Sequence, residues 1–337
     1  LVLDQDANDL GGGIAMRGIN GGSFASASIS SVRDLTFSGD VATLTLNSGG
    51  VLTLGGGHST TLTAGAGRRI VLTGPLEVSG LMTLIANGGV GVDVDMASHG
   101  GGNDFSRVEL KAQGGGSLGL VQLRDDDGAR RDGIKVTGDA AQLEVTSVGA
   151  LDLGGGNYGS LMADTAGSGA AIKQSGALSV AGLTTLKAGS GDVTLTRPDN
   201  NLRSFAIESA GVASLASVGD YTINVSRVSR RLELAGAGAI RLEGPLSGSG
   251  ELVMKGRGSL TITSAQTFGG GTRIESGTVV LQGASAQAGS GPVQLGADGQ
   301  LDLRDGAAMG AELIAKGGKV LNSSGSGTLA GAVTLQA

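Results

Sequence analysis

Residues 258–283 read GSLTITSAQTFGGGTRIESGTVVLQG, and this stretch decides the fold class. Large aliphatic residues stand two positions apart at Leu260/Ile262 and again at Val279/Leu281, with glycine and small polar residues between the two pairs. A spacing of two places both side chains of a pair on the same face of a β-strand. The stretch therefore predicts short strands that each bury one face and are joined by small corners.

Pairs of this kind recur in much of the chain at intervals of roughly 8–12 residues, bounded by Gly, Ser, Asn or Asp. They are Leu44/Leu46, Leu52/Leu54, Ile70/Leu72, Leu76/Val78, Val92/Val94, Val108/Leu110, Leu118/Leu120, Ile134/Val136, Leu143/Val145, Leu151/Leu153, Leu178/Val180, Val193/Leu195, Ile223/Val225, Leu232/Leu234, Ile240/Leu242, Leu252/Met254, Val293/Leu295 and Leu301/Leu303. Such spacing fits a sandwich, a barrel or a solenoid. Strands of only about three to five residues favour the solenoid.

The composition agrees with a narrow core. Of 337 residues, 65 are Gly and 4 are Pro, without a strict Gly-X-Y period, so the chain is not a collagen. Apolar residues make up 39% of the chain, which argues against disorder. Trp is absent, and Tyr and Phe number 2 and 5. A thick globular core draws on aromatic side chains, whereas a thin core of Leu, Val, Ile and Ala does not need them.

The sequence also repeats itself with a period near 100 residues, which points to a stacked architecture with several coils per copy. Asn8-Asp9-Leu10 returns as Asn103-Asp104-Phe105 and as Asn200-Asn201-Leu202; LGGG at 54–57 returns at 153–156; and GPLEVSGLMTL at 74–84 returns as GALSVAGLTTL at 176–186 and, degraded, as GPLSGSGELVM at 244–254.

Together these patterns predict an all-β fold, a right-handed parallel β-helix that forms a single elongated rod. Each coil of roughly 20 residues contributes two or three short strands, and inward aliphatic side chains stack from coil to coil. Gly, Asn and Asp take the tight corners. No segment shows helical periodicity with caps, so no helix is expected.

Residues 248–283, GSGELVMKGRGSLTITSAQTFGGGTRIESGTVVLQG, resemble the passenger-associated repeat of bacterial autotransporters. The core of that motif is Gln266-Thr267-Phe268-Gly269-Gly270-Gly271-Thr272, with Phe268 at the position of an aromatic Tyr and Gln266 at that of Asn. Residues 284–303 resemble its continuation. Residues 1–247 are similar to the irregular repeats of filamentous-haemagglutinin-like exoproteins, through NDLGGGIAMRG and IKQSGALSVAGLTTLKAGSGDVTL. Two regions of one continuous β-helix, 1–247 and 248–337, are therefore expected.

The resemblance implies a passenger that is secreted or displayed on the cell surface of a Gram-negative bacterium, with an outer-membrane translocator as its partner during secretion. The function implied is a non-catalytic stalk of an adhesin, in attachment or biofilm formation. The haemagglutinin-type NPNL-like secretion motif is not found, so autotransporter and two-partner secretion both stay open. The chain starts without Met, and we expect it to be a piece of a larger protein.

The remaining partner expectations follow from charge and hydropathy. A net charge of −6 without a basic stripe disfavours nucleic acid. No apolar run reaches the roughly 18 residues of a membrane span, so no membrane insertion is expected. An extracellular glycan or a host-surface receptor is the expected ligand class. Cut ends of a solenoid expose unpaired backbone groups, which predicts end-to-end self-association. The alternatives are a β-helical polysaccharide-degrading enzyme and a rod that itself binds glycan or receptor.

No catalytic residue, cofactor or metal site is predicted. His58 in GGGHST and His99 in ASHGGG are expected to be solvated corner residues, since zinc needs more ligands nearby. The charged segment Arg124–Gly133 is expected to be an exposed loop of mixed charge, with a calcium loop or a partner contact as the alternatives. Asp93 and Asp95 are expected on one outward strand face.

Two further patterns have structural interpretations. The glycine triplets lack the Lys-Ser/Thr of a phosphate-binding loop and are predicted to be corners; they lie at 11–13, 55–57, 100–102, 114–116, 154–156 and 269–271. The run Ser59-Thr60-Thr61 raises the idea of an ice-binding face, but regular T-x-T repeats are lacking, and a plain polar strand edge is predicted.

Overall fold

The computed structural model describes residues 1–5, 8–17, 22–127 and 133–336, and the only regular secondary structure in them is β-strand. The chain divides into two compact units, an N-terminal unit Leu1–Ser168 and a C-terminal unit Gly169–Ala337. The strand pairs within each unit are parallel, as a solenoid requires. The predicted all-β parallel solenoid is therefore confirmed in each unit. The hand of the helix stays a prediction.

The strands of the N-terminal unit are β1 (Val2–Leu3), β2 (Gly13–Met16), β3 (Phe24–Ser31), β4 (Leu35–Gly39), β5 (Val41–Ser48), β6 (Val51–Leu54), β7 (Gly57–Ser59), β8 (Thr61–Ala66), β9 (Arg69–Leu72), β10 (Leu76–Asn87), β11 (Val92–Met96), β12 (Asp104–Gln113), β13 (Leu118–Asp125), β14 (Ile134–Gly138), β15 (Ala140–Ser147), β16 (Leu151–Leu153) and β17 (Gly156–Asp164). They stack in two long columns. One contains β1, β3, β5, β8, β10, β12, β14 and β16, and the other contains β2, β4, β6, β9, β11, β13, β15 and β17.

The strands of the C-terminal unit are β18 (Ile172–Gln174), β19 (Leu178–Lys187), β20 (Val193–Leu195), β21 (Asn201–Ser217), β22 (Tyr221–Ile223), β23 (Ser226–Gly236), β24 (Ala239–Leu242), β25 (Leu246–Ser247), β26 (Glu251–Gly256), β27 (Ser259–Ile262), β28 (Thr272–Gln282), β29 (Val293–Arg304), β30 (Ala307–Met309), β31 (Leu313–Ala315), β32 (Lys319–Leu321), β33 (Gly327–Leu329) and β34 (Val333–Leu335). One column runs from β18 to β34 and a second from β19 to β32. β23 pairs with β26, so strands on both sides of residue 247 belong to one stack.

Inward aliphatic side chains form continuous ladders within each unit. In the N-terminal unit, successive coils place Leu35, Leu52, Ile70, Val94, Val121, Leu143 and Leu161 in register. All seven are buried. Burying an aliphatic side chain of this size contributes about 1.5–3 kcal/mol. The paired spacing in the sequence therefore corresponds to the core of the solenoid.

Two of the predicted pairs are wrong. In Leu118/Leu120, an extra residue on β13 shifts the register, so that Val121 and not Leu120 faces inward beside Val94. In Ile223/Val225, the strand ends at Ile223, and Val225 is 65% exposed. The chain turns at the residue between them, whose side-chain amide donates to Phe205 O at 3.0 Å.

The expected strand length of three to five residues is also wrong for the longest strands. β10 bends at Ser79-Gly80, where the register shifts. Its first part pairs with β7 and its second part with β8. Long strands are thus two faces of one coil joined through a bend, and an aliphatic pair marks each face.

Glycine, asparagine and aspartate all lie at corners, as expected, but the backbone at glycine differs from that at the other two. Among the described residues, Asp305 is the one non-glycine with a positive φ, 54°. Asparagine and aspartate act at corners through their side chains instead. No helix in the described part of the chain is long and apolar enough to cross a membrane.

Candidate functional site

The corner at His58 brings together one histidine and two carboxylates. Asp40, one coil earlier, accepts the backbone N–H of His58 at 2.9 Å, and its Oδ1 lies 2.9 Å from Nδ1 of the ring. Nε2 lies 3.4 Å from Glu77 Oε2 on the next coil. The hydrogen bond from His58 lowers the pKa of Asp40. Each ring nitrogen of His58 thus faces a carboxylate oxygen of a neighbouring coil, so the ring links three successive coils at this corner.

The equivalent corner of the second copy has the same capping bond without the histidine. Asn157 donates its backbone N–H to Asp139 Oδ1 at 2.8 Å and its Nδ2 to the same oxygen at 3.0 Å. The shared role of the two corners is to cap a backbone N–H with a carboxylate. His58 is 69% exposed in its side chain, as predicted, but it lies in the short strand β7 and not in a turn.

Three buried amides were not anticipated from the sequence. Asn103, Asn200 and Gln266 are buried, and each side-chain oxygen accepts the N–H of the leucine in a G-x-L segment. The bonds are Leu76 N to Asn103 Oδ1 at 3.2 Å, Leu178 N to Asn200 Oδ1 at 3.1 Å and Leu246 N to Gln266 Oε1 at 2.8 Å. The N-D-L repeat marked two of these positions in the sequence, but a repeat does not reveal burial.

His99 supports one of the buried amides. Nδ2 of Asn103 donates to the carbonyls of Met96 and Arg124, at 3.2 and 3.1 Å, which fixes the orientation of the amide. Oδ1 therefore faces His99 Nε2 at 2.8 Å, and this ring nitrogen carries a hydrogen. His99 lies in a bend, as predicted, but it is half-buried rather than solvated. In the second copy Gln174 takes this place, with two hydrogen bonds of 2.8 Å to Asn200.

Asp125 contradicts the prediction of an exposed loop at 124–133. β13 extends to Asp125, and the carboxylate faces inward, where it accepts the N–H of Phe105 at 3.1 Å and the hydroxyl of Ser147 at 2.7 Å. Burial removes water from the carboxylate and raises its pKa to about 6, although both hydrogen bonds oppose the shift. Asp125 is thus a buried acid that titrates near neutral pH.

The rest of that charged segment is only partly described. Residues 128–132, with Arg130, Arg131 and Asp132, lie outside the described residues. Arg124 Nε donates to Asp126 Oδ2 at 2.7 Å, and Asp126 Oδ1 accepts the N–H groups of Gly102 and Asn103. Within the described ranges, no group of three or more His, Asp or Glu side chains is arranged to hold a metal ion.

Asp93 and Asp95 differ in their surroundings. Asp93 is exposed on β11, as predicted, and accepts the N–H of Leu120 at 2.8 Å. Asp95 is buried, contrary to the prediction, because the following turn folds back over it. Its carboxylate binds the hydroxyl of Ser98 at 2.6 Å and Arg69 at 3.1 Å. Burial opposes the shift, but these partners outweigh it and lower the pKa of Asp95.

The glycine triplets lie at corners, as predicted, and two of them occupy equivalent places. Gly57 (φ 134°) and Gly156 (φ 155°) lie so close to the preceding coil that a Cβ would overlap the carbonyl oxygens of Gly39 and Gly138. Close contact between coils therefore requires glycine there.

The run 59–61 is not a uniform polar edge. Ser59 is buried, and its Oγ has no hydrogen-bond partner in the described chain. Thr61 and Thr63 lie in register with Thr43 and Thr45 on the outer side of β8 and β5. Two T-x-T segments thus stack on neighbouring coils. The sequence did not predict this, because the segments are far apart along the chain.

The outer face of β23, β26 and β28 carries a self-neutralising ionic face. It consists of Arg231, Glu233, Glu251, Lys255, Arg273 and Glu275. Glu233 Oε1 lies 2.9 Å from Arg231 Nη1 and 3.3 Å from Lys255 Nζ. Burial opposes the shift, but the hydrogen bonds from Arg231 and Lys255 lower the pKa of Glu233. The charged side chains of this face therefore form ion pairs with one another, several of them between adjacent coils.

Comparisons with known proteins identify repeats but no activity. Residues 38–110 and 138–206 each match the family described as repeats of unknown function (DUF5649). The two matches begin about one predicted period apart, which supports the duplication seen in the sequence. No curated protein and no solved structure matched the chain.

Proposed function

We propose that the chain is a non-catalytic stalk, a passenger segment of a large adhesin that acts in attachment or biofilm formation. The observation that carries this proposal is the column of parallel strands, paired coil by coil, in each unit. In such an array each coil contacts only its neighbours, so length can grow without a change in the local structure. A protein that must hold a distal binding region away from a cell uses that property.

The resemblance of residues 248–283 to passenger-associated repeats supports the same proposal, because the residues of the motif have structural roles. Phe268, at the aromatic position of the motif, is fully buried. Gln266 is one of the buried amides. Thr272 is buried and donates its hydroxyl to Ala288 O at 2.8 Å. The motif thus shapes one corner and its neighbouring coil.

The location that fits this role is outside a Gram-negative cell, either secreted or on the surface. An outer-membrane translocator would be the partner during export. The sequence has no cysteine, so no disulfide would form before the chain passes through a pore. Folding could then spread from coil to coil as the chain emerges.

Display on a heterologous Gram-negative host tests the proposal. The chain is fused to an outer-membrane translocator and carries an epitope tag at its distal end. We expect the folded chain to reach the surface and to expose the distal tag to antibody. A matched control replaces Gly258 with valine, which the stacking of the coils cannot accommodate. Retention of folded chain inside the cell, or exposure of the tag equal to that of the control, would contradict the proposal.

Scattering and an activity assay complete the test. The purified chain should give a β-rich circular dichroism spectrum and an elongated scattering profile, and a compact sphere would count against a stalk. Release of unsaturated or reducing sugars from polysaccharides would replace the proposal by the enzymatic alternative.

A further inference from the structure

An open trough crosses three successive coils of the C-terminal unit. Its residues are Gly256 at the end of β26 and Arg257 after it, Ser276–Thr278 in β28, and Asp298 and Gln300 in β29. Ser276 lies opposite Asp298, and Thr278 lies opposite Gln300. We call these residues the trough.

The coils fit closely together beneath the trough. Gly277, in the trough, has a φ of 78°, and a Cβ there would come within 2.7 Å of Gly258 O. Gly299, next to it on the following coil, is buried, and a Cβ there would lie 2.5 Å from Ile274 O. Both Cβ positions point at neighbouring backbone and not into the trough, so these glycines allow the close stacking of the coils that carry it.

The trough is lined by polar side chains that have no partner among the described residues. The side chains of Arg257, Thr278, Asp298 and Gln300 make no hydrogen bond or ion pair with any described residue. Directly beside them, Lys255 and Glu275 pair with each other and with the ionic face. Arg257 and Asp298 are therefore unpaired beside a face whose charges are paired, and their polar groups are open to a ligand.

The chemistry of these groups fits a sugar chain. A guanidinium donates, a carboxylate accepts, and an amide and a hydroxyl do both, which matches the mixed donors and acceptors of sugar hydroxyls. Successive coils are about 4.8 Å apart, close to the length of one sugar unit in an extended polysaccharide. One positive and one negative side chain leave the trough without net charge, so it does not favour a polyanion.

We propose that the trough binds an extended neutral polysaccharide, with one sugar unit on each coil. Arg257 contacts the sugar unit on the first coil, Thr278 the unit on the second, and Asp298 and Gln300 the unit on the third. No aromatic side chain lines the trough, so hydrogen bonds supply the affinity. The inference rests on the proposed function only in placing the trough where extracellular polysaccharide can reach it.

Calorimetric titration of the purified chain tests the proposal with defined probes. The neutral probes are cellohexaose and mannohexaose, and a heparin hexasaccharide is the anionic probe. We expect at least one neutral hexasaccharide to bind, and we expect R257A and D298A each to weaken binding by about ten-fold, the effect of losing a hydrogen bond to a charged group. R241A removes an exposed arginine on β24 of the same unit and should leave binding unchanged.

Several results would overturn the proposal. The first is that neither neutral hexasaccharide binds at millimolar concentration. The second is that R257A and D298A bind the hexasaccharide as tightly as the unaltered chain does. The third is that the chain prefers the heparin hexasaccharide and that D298A binds it more tightly. The last result would identify an anion site. All variants change exposed side chains, and thermal melts verify that they fold. Failure of this titration leaves the display experiment untouched, and retention inside the cell leaves the titration untouched, so the two proposals fail separately.

Discussion

Asn103 and Asn200 occupy the same corner in the two copies of the repeat, and both side chains are fully buried. Each Oδ1 accepts the backbone N–H of a leucine, at 3.2 Å in the first copy and 3.1 Å in the second. A buried N–H that loses its acceptor costs about 1–3 kcal/mol. The recurrence of asparagine about one period apart therefore reflects the need to satisfy the same backbone group.

The first prediction concerns this amide. Asn200→Ala removes the acceptor of Leu178 N–H and the donor to Ala216 O, so we expect it to lower the free energy of unfolding by about 2–4 kcal/mol. Asn201→Ala, at the exposed neighbouring position, is the matched control and should change it by less than about 0.5 kcal/mol. Urea denaturation followed by circular dichroism measures both. If both substitutions changed the free energy of unfolding equally, the buried hydrogen bonds of Asn200 would not stabilise the chain.

The second prediction concerns the pH dependence from Asp125. Its pKa is raised to about 6 in the folded chain, above the ordinary value of 3.8. Asp125 therefore binds a proton more tightly in the folded chain than in the unfolded chain, and its contribution to stability should increase as the pH falls from about 7 to about 4, by about 2–3 kcal/mol. Asp125→Asn keeps the shape of the side chain and should flatten the profile in this window. Urea denaturation midpoints across the pH range measure this dependence. If stability depended on pH in the same way in Asp125→Asn, another group would be responsible for the titration.

The third prediction sets the two tyrosines of the chain against each other. Tyr158 is buried and its hydroxyl has no hydrogen-bond partner in the described chain, whereas Tyr221 donates to Ala235 O at 3.1 Å. Tyr158→Phe should be neutral or stabilise the chain by about 1 kcal/mol, because it removes an unsatisfied polar atom. Tyr221→Phe should destabilise it by about 1 kcal/mol. Thermal melts of both variants decide this, and a loss of stability in Tyr158→Phe would indicate a partner for its hydroxyl.

The fourth prediction tests how closely the coils approach. A Cβ at Gly258 would overlap the carbonyl oxygen of Gly238 on the preceding coil, and backbone cannot yield as a flexible side chain would. We expect Gly258→Ala to cost about 2–4 kcal/mol, in the range of strongly destabilising mutations. Gly310→Ala has open space around the new methyl group and should stay within about 0.5 kcal/mol. Denaturant midpoints compare the two, and similar values would refute the steric explanation.

The fifth prediction concerns end-to-end self-association of the purified chain. β32, β33 and β34 expose apolar side chains, with Leu335 80% and Val333 51% exposed, and β34 pairs with β31 on one side. We expect a second copy to bind along this edge. Leu335→Lys should abolish concentration-dependent growth in sedimentation, since a charge on an edge strand opposes pairing. Val225→Lys, an exposed valine of the same unit, should not, and a monomer at every concentration would exclude the association.

The aliphatic pairs show which parts of the core can be predicted from short windows of sequence. Whether Leu52 or Thr53 faces the core depends on the alternation of side chains along one strand, which any short window of sequence displays. The prediction is wrong at Leu120, where an extra residue in β13 shifts the register, because a bulge is decided by the pairing with the neighbouring coil and not by the strand itself.

The candidate site residues were less predictable than the core. Asp125 looked like part of a solvated charged loop, yet its carboxylate lies in the core beside Ser147, a residue one coil further on. Asn200 and Asn201 are alike in sequence, yet one is buried and the other exposed. The two asparagines differ because neighbouring residues of an extended chain point to opposite sides, and the sequence does not show which of them faces inward. The environment of Asp125 is built by residues about one coil away, whose distance along the chain varies from coil to coil.

The sequence by itself determined the parallel solenoid, its aliphatic ladders, its glycine corners and the duplication of about one hundred residues. These features follow from side-chain direction along a strand and from backbone preference at a turn, which are local. Only the tertiary structure decided which amides are buried, that Arg231 and Lys255 form ion pairs, and that Arg257 and Asp298 lie unpaired in one trough. Those properties depend on which residues of neighbouring coils lie side by side. That alignment is set by the lengths of the irregular corners between the strands, which no short window of sequence reveals.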